Sequence, residues 1–248
     1  MIANASWRGK SDCGIMNAMN MRTVVALGLS SVRGNLVPMV ALWGAAVVVA
    51  VSYYHCDLFA AVLEPIADFQ VAGGYFAAFL NRLVFCGVIP GFFILLLPRL
   101  RPKHRAVTVV ALTSIWCGLW GIVCDGFYRM QQDWFGTGTG VWTILLKTCV
   151  DQFVFNVFVI TPTSAAFYFW TANGLDFALM RRRWPKDWLS SIILTNLIAG
   201  WCVHVPVIAV VYSFPQPLQV QLSGFVASFW TLVSLGIGRR CVVAKMLQ

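Results

Sequence analysis

Of the 248 residues, 59% are hydrophobic and only 11% are charged, and the mean hydropathy is +0.76. That is too little charge to keep a soluble domain of this length dissolved, so the composition is that of an integral membrane protein. The net charge of +9 does not indicate a nucleic-acid partner, because the basic residues sit in short clusters between hydrophobic runs.

The leader, residues 1–35, is basic, with Arg8, Lys10, Arg22 and Arg33 against a single acid, Asp12. It lacks a short apolar core followed by a small-residue cleavage site. The run Leu36–Tyr54 therefore reads as a retained anchor and the leader as a tail kept on the positive side, with an organellar presequence as the alternative. Five more apolar runs follow, at Tyr75–Leu97, Ala106–Phe127, Val141–Thr171, Leu189–Tyr212 and Leu222–Gly238. A spanning helix needs about 20 residues, which most of these runs meet. The fourth is long enough to tilt or to begin in the interface. Pro90 and Pro162 fall inside runs and should kink them. No linker is long enough to separate two domains. The expectation is all-α: a polytopic bundle of about six transmembrane helices over residues 36–238, with basic tails at 1–35 and 239–248.

Charge tests that count. Fifteen of the eighteen cations fall in the leader, in the second connection (Arg99, Arg101, Lys103, Arg105), in the fourth (Arg181, Arg182, Arg183, Lys186) and in the tail (Arg239, Arg240, Lys245). The other connections hold Asp57, Glu64, Asp68, Asp125 and Asp133 with one cation, Arg129. This alternation predicts six spans with both termini on the positive side, and it assigns Arg181–Arg183 and Lys186 to orienting the chain ahead of binding.

The eight cysteines form no CxxC pair and have no His-rich spacing, so neither a zinc site nor a disulfide framework is indicated. His55-Cys56-Asp57 reads as chance adjacency at a membrane boundary. No Ser/His/Asp order, paired carboxylate or HExxH pattern supports an enzyme, and no cofactor is implied. Thr137-Gly138-Thr139-Gly140 lacks the lysine and helix context of a phosphate loop and reads as a turn. Most of the tryptophans lie near run ends, where the indole suits the headgroup region. His204 reads as a packed or hydrogen-bonded side chain.

The polar residues within the fourth run need a reason. Lys147 and Asp151 are four apart, hence on one helical face, with Gln152 beside them. An ionised group near mid-bilayer costs several kcal/mol by most estimates, so these groups should face protein or water. Arg82 enters from the same side as Lys147, at about 1.5 Å per residue to a similar depth. Two readings stand: a solute or ion path lined by Lys147, Asp151, Gln152 and Arg82, or an internal salt bridge that fixes helix packing. Gly87 and Gly91, and Gly224 and Ser228, have the small-xxx-small spacing of close helix packing, although Gly91 beside Pro90 also suits a kink.

Lys147-x-x-x-Asp151-Gln152-x-x-Phe155 resembles the motif of the family of the twenty-two-kilodalton peroxisomal membrane protein and the Mpv-seventeen mitochondrial inner-membrane protein. Gly121-Ile-Val-Cys-Asp-Gly-Phe-Tyr128, Pro206, Pro217-Leu218-Gln219 and Phe229-Trp230-Thr-Leu-Val-Ser-Leu235 resemble its further segments in the same order. The resemblance covers roughly residues 75–238 and is that of a divergent member. Asn81-Arg82 replaces the family's Gly-Asp motif, Val157 and Gln221 stand where it has proline and arginine, and Leu36–Tyr54 is additional. It implies a multi-pass protein forming a weakly selective channel or pore for small hydrophilic solutes, with effects on membrane potential or stress tolerance. A non-transporting structural or scaffold role is the alternative. It further implies a mitochondrial inner or peroxisomal membrane in a eukaryote and the plasma membrane in a bacterium. The lipid bilayer and small solutes are the expected partners, and a homo-oligomer is compatible with them.

Overall fold

The computed structural model describes residues 36–98, 105–186 and 188–228, together with the isolated positions Val25 and Arg33. The cations expected at Arg8, Lys10, Arg22, Arg99, Arg101, Lys103, Arg239, Arg240 and Lys245 lie outside the described residues, as does the segment Phe229–Leu235. Among the described residues all regular structure is helical.

Helix α1, Leu36–His55, is the additional first run. Extended backbone at Cys56 ends it, and α2, Asp57–Arg82, opens with an acid in its first turn, where the helix dipole favours negative charge. Here the structure corrects the sequence reading: the stretch holding Asp57, Glu64 and Asp68, expected as a connection, is helical, with all three acids exposed. A break follows at Gly74, whose φ of 50° and ψ of −128° suit glycine and few other residues. The Gln70 side chain donates from Nε2 to the Gly74 carbonyl at 3.1 Å, partly mending the break. Beyond Arg82 the helix widens into a π-helical stretch, Leu83–Val88, and continues as α3, Ile89–Leu96.

The widening sits just before Pro90, which has no N–H for the carbonyl four residues back and whose ring crowds that carbonyl. That carbonyl belongs to Cys86, and the thiol of Cys117 on the neighbouring helix points to it at 3.5 Å. The same arrangement recurs in the fourth run. There α5, Val141–Val150, passes into a π-helical stretch, Asp151–Ile160, and then into α6, Thr161–Ala172, with Pro162 in its first turn. The expected kinks are thus wide turns placed upstream of each proline.

Helix α4, Ala106–Phe135, precedes the turn 136–140, which begins at Gly136 and leads into α5. After α6 come the short α7, Phe177–Arg183, a third π-helical stretch, Leu189–Leu194, and α8, Thr195–Val211. The last described helix, α9, covers residues 216–228. It starts six residues before the apolar run at Leu222, because its polar first turns are held inside the bundle.

Small residues set how close the helices come. A side chain on Gly121 would strike the Ala78 carbonyl, one on Gly118 the Phe79 ring, one on Gly87 Ser114 and one on Gly91 Val110. The pairs 78/121, 79/118, 87/114 and 91/110 run in opposite directions along the chain, so α2–α3 and α4 are antiparallel neighbours in close contact. Helix α1 packs through Met39 and Leu42 on Val203, Val207 and Val211 of α8 and on Val226 of α9. Its Trp43 donates to the Val203 carbonyl at 3.1 Å.

The polarity of the bundle is inverted relative to a soluble protein. Val37, Leu58, Trp142 and Phe158 are 73–80% exposed, while Gln70, Asp125 and Gln131 are 0% exposed. Soluble monomers rarely expose more than a few hundred Å² of contiguous apolar surface. Here apolar side chains cover the outside of every long helix. Among the described residues three helices are long and apolar enough to cross a membrane, Asp57–Leu96, Ala106–Phe135 and Val141–Ala172, with shorter apolar helices at Met39–His55 and Asn196–Val211.

Candidate functional site: a polar interior

The polar residues predicted in the fourth run are buried. Lys147, Asp151 and Gln152 are 2–4% exposed. Their partners differ from the expected ones. The Asp151 carboxylate accepts from the Tyr212 hydroxyl at 2.7 Å on Oδ2 and from Gln152 Nε2 at 2.6 Å on Oδ1. Tyr212 in turn accepts from Gln131 Nε2 at 2.8 Å, so α4, the π-helical stretch and the end of α8 meet at one buried carboxylate. Trp201 Nε1 donates to the Gln152 carbonyl at 2.9 Å and holds that stretch from the α8 side.

The expected Lys147–Asp151 ion pair is absent among the described residues, where Arg129 and Asp125 form the only salt bridge. Shared helical face and shared burial hold, but pairing does not: each carboxylate oxygen accepts from a neutral donor instead. Arg82 is partly buried and donates from Nη2 to Ser223 Oγ at 2.8 Å.

A second network ties α2 to α9. Gln221 Nε2 donates to Gln70 Oε1 at 2.6 Å, and Asn81 Nδ2 donates to Gln221 Oε1. Gly224 allows this, since a side chain there would occupy the position of the Asn81 amide oxygen. Ser228, one turn on, is buried. The four small residues singled out by spacing therefore all lie inside the bundle, Gly87 and Gly91 against α4 and Gly224 against Asn81.

A third cluster surrounds Asp125. Arg129 Nε lies 2.9 Å from Oδ2, and Gln216 Nε2 donates to Oδ1 at 2.8 Å. The guanidinium stands over the Tyr75 ring, 5.4 Å from its centroid.

Sequence reasoning missed Gln70, Gln131, Tyr212, Gln216 and the Asp125–Arg129 pair. An available signal was the set of amides at Gln216, Gln219 and Gln221, whose side chains all turn inward on α9. The remaining smaller readings can be placed directly. Residues 136–140 form the non-helical connection between α4 and α5, with bends at Thr137 and Gly140, flanked by Trp134 and Trp142 at 59% and 79% exposure. His204 Nδ1 lies 3.0 Å from the Gly200 carbonyl. Trp116 and Trp120, by contrast, are inside the bundle, with Trp116 stacked on Phe167 at 4.5 Å.

Fold and interior together define, over the described residues, an all-helical protein with helices fit to cross a membrane, apolar outside and hydrogen-bonded inside. Comparison with known proteins adds no relative: no family model, curated protein or solved structure matches the chain.

Proposed function

We infer that this is a six-span membrane protein with both termini on the basic side, whose polar interior passes small hydrophilic solutes. It is read as a divergent member of the peroxisomal and mitochondrial inner-membrane family that its motifs resemble. The carrying observation is hydrogen-bonding capacity left unmet among the described residues. Arg82 Nε, Asn81 Oδ1, Gln131 Oε1, Thr148 Oγ1 and Gln219 Oε1 are buried without a partner, and Lys147 is buried without an ion pair. These atoms come from α2, α4, α5 and α9. In hydrocarbon each unmet group costs several kcal/mol, and water or a passing polar solute meets the need.

A second reading, a non-transporting structural protein, draws support from a different fact. Both buried carboxylates, Asp125 and Asp151, are fully engaged by protein donors. Reconstitution into liposomes with size-graded solute efflux separates the two. The transport reading expects release of small polar solutes with a size limit, and a changed preference between anionic and neutral solutes in Lys147→Met. Vesicles no leakier than protein-free ones, with a correctly folded chain inserted, would leave the structural reading standing.

A further inference from the structure

The connection between α6 and α8 does more than carry charge. A cavity of about 580 Å³ opens there, within the range that holds a small ligand. Its apolar wall is Phe177, Met180, Trp184 and Trp188, and its cations are Arg181 and Lys186. The wall is built firmly. Phe177 stacks on Trp170 of α6 at 4.8 Å, Trp184 packs edge-on to Phe169 at 5.1 Å, and Trp188 lies 6.1 Å from Trp184.

The charges around this cavity are unequal in their freedom. Arg183 is turned away, donating to Asn173 Oδ1 at 3.3 Å. Asp176 uses Oδ1 to cap α7 through the Leu179 N–H at 3.0 Å, and no described carboxylate pairs with Arg181 or Lys186. Two cations without a described counter-charge therefore line a pocket whose other residues are Phe177, Met180, Trp184, Pro185 and Trp188. The pocket lies between the end of the apolar helix Val141–Ala172 and the exposed Leu189 at the start of the next helical stretch.

We propose that this cavity binds an anionic phospholipid, with its phosphate between Arg181 and Lys186 and the upper part of an acyl chain against Phe177, Trp184 and Trp188. A guanidinium and an ammonium are the usual phosphate donors, and indole rings suit the glycerol region. A soluble anion would have no use for the apolar wall, and a neutral lipid would leave the two cations uncompensated. The proposal rests on the chain being in a membrane and is independent of whether the interior conducts.

The test uses the full chain in mixed micelles of a zwitterionic detergent, with thermal stabilisation read against added phosphatidylglycerol or phosphatidylcholine. Phosphatidylglycerol should stabilise and phosphatidylcholine should not. The double variant Arg181→Gln/Lys186→Gln should need about thirtyfold more phosphatidylglycerol, from about 1 kcal/mol per cation. Arg182→Gln/Arg183→Gln removes the same charge outside the cavity and should shift the midpoint by no more than about threefold, as screened surface charges do. Equal losses in the two double variants would mean diffuse attraction and overturn the site. Equal stabilisation by inorganic phosphate alone would overturn the lipid as occupant.

A measurement on the unmodified chain covers the case in which a variant misfolds. Phosphatidylglycerol brominated on its acyl chains should quench tryptophan emission more than brominated phosphatidylcholine at equal mole fraction. That difference should shrink in Trp184→Phe/Trp188→Phe, which leaves Trp170 behind Phe177, and equal quenching by the two lipids in the unmodified chain would reject the proposal.

Discussion

Asp125 and Arg129 on α4 have the same spacing as Lys147 and Asp151 on the helix that follows the turn. Each carboxylate is ten residues from that turn, about 15 Å at 1.5 Å per residue, and each cation about 9 Å. Yet Arg129 closes on Asp125 at 2.9 Å while Lys147 leaves Asp151 alone. Two physical differences account for this. Side chains on a helix lean toward its N-terminus, so a cation four residues after an acid reaches back to it, whereas a cation four residues before leans away. The neighbours then fix the outcome. Gln216 takes only one oxygen of Asp125, but Tyr212 and Gln152 take both of Asp151. Equal spacing therefore conceals opposite chemistry, an ion pair reaching toward the surface and a carboxylate held wholly by neutral donors.

The largest effect expected is from Asp151→Leu. It strands the Tyr212 hydroxyl and the Gln152 amide in the interior, at about 1–3 kcal/mol for each unmet group. A loss of about 3 kcal/mol in detergent unfolding is expected, with Asp125→Leu costing about half as much because Arg129 can turn outward. The reverse order would break the contrast. Next come two double-mutant cycles. Asp151→Leu with Tyr212→Phe should show a coupling of about 1–2 kcal/mol, near the upper end for hydrogen bonds between membrane helices. Lys147→Met with Asp151→Leu should add to within about 0.5 kcal/mol. If that second pair instead recovers stability together, the two charges do interact and the contrast fails. The smallest effect is at the cations. The Arg129 side chain is 43% exposed, so Arg129→Met should cost below about 1 kcal/mol, and high salt should shrink the difference from wild type. Lys147→Met should be neutral or slightly stabilising, and a clear loss would mean the ammonium has a partner.

Helical class, the three helices apolar enough to span and the burial of Lys147, Asp151 and Gln152 were legible in the sequence, because hydropathy and the cost of charge in hydrocarbon act locally. The helical stretch from Asp57 to Gly73 was not. Its acids signalled a connection, but they lie along the exposed side of a helix that only later turns at Gly74. The partners of Asp151 were equally hidden. Tyr212 is 61 residues away, and what brings it there is the packing of α8, on which no local pattern reports. The early start of α9 escaped for the same reason, since Gln216 and Gln219 look like loop residues until Asp125 and the Phe214 carbonyl are seen to receive them.

The wide turns from Asp151 to Ile160 also bear on which changes in length the chain can absorb. Losing one residue from an α-helical stretch such as Val141–Val150 swings everything beyond it by about 100°, carrying Asp151 off its face. A stretch wound with an extra residue per hydrogen-bonded ring has slack of that same kind. Deleting Val154, whose side chain points outward, would let the backbone tighten toward ordinary α winding while Ala165 still met Ile193 and Leu197. Single-residue deletions in this fold should therefore be tolerated at the wide turns and rejected a few positions upstream.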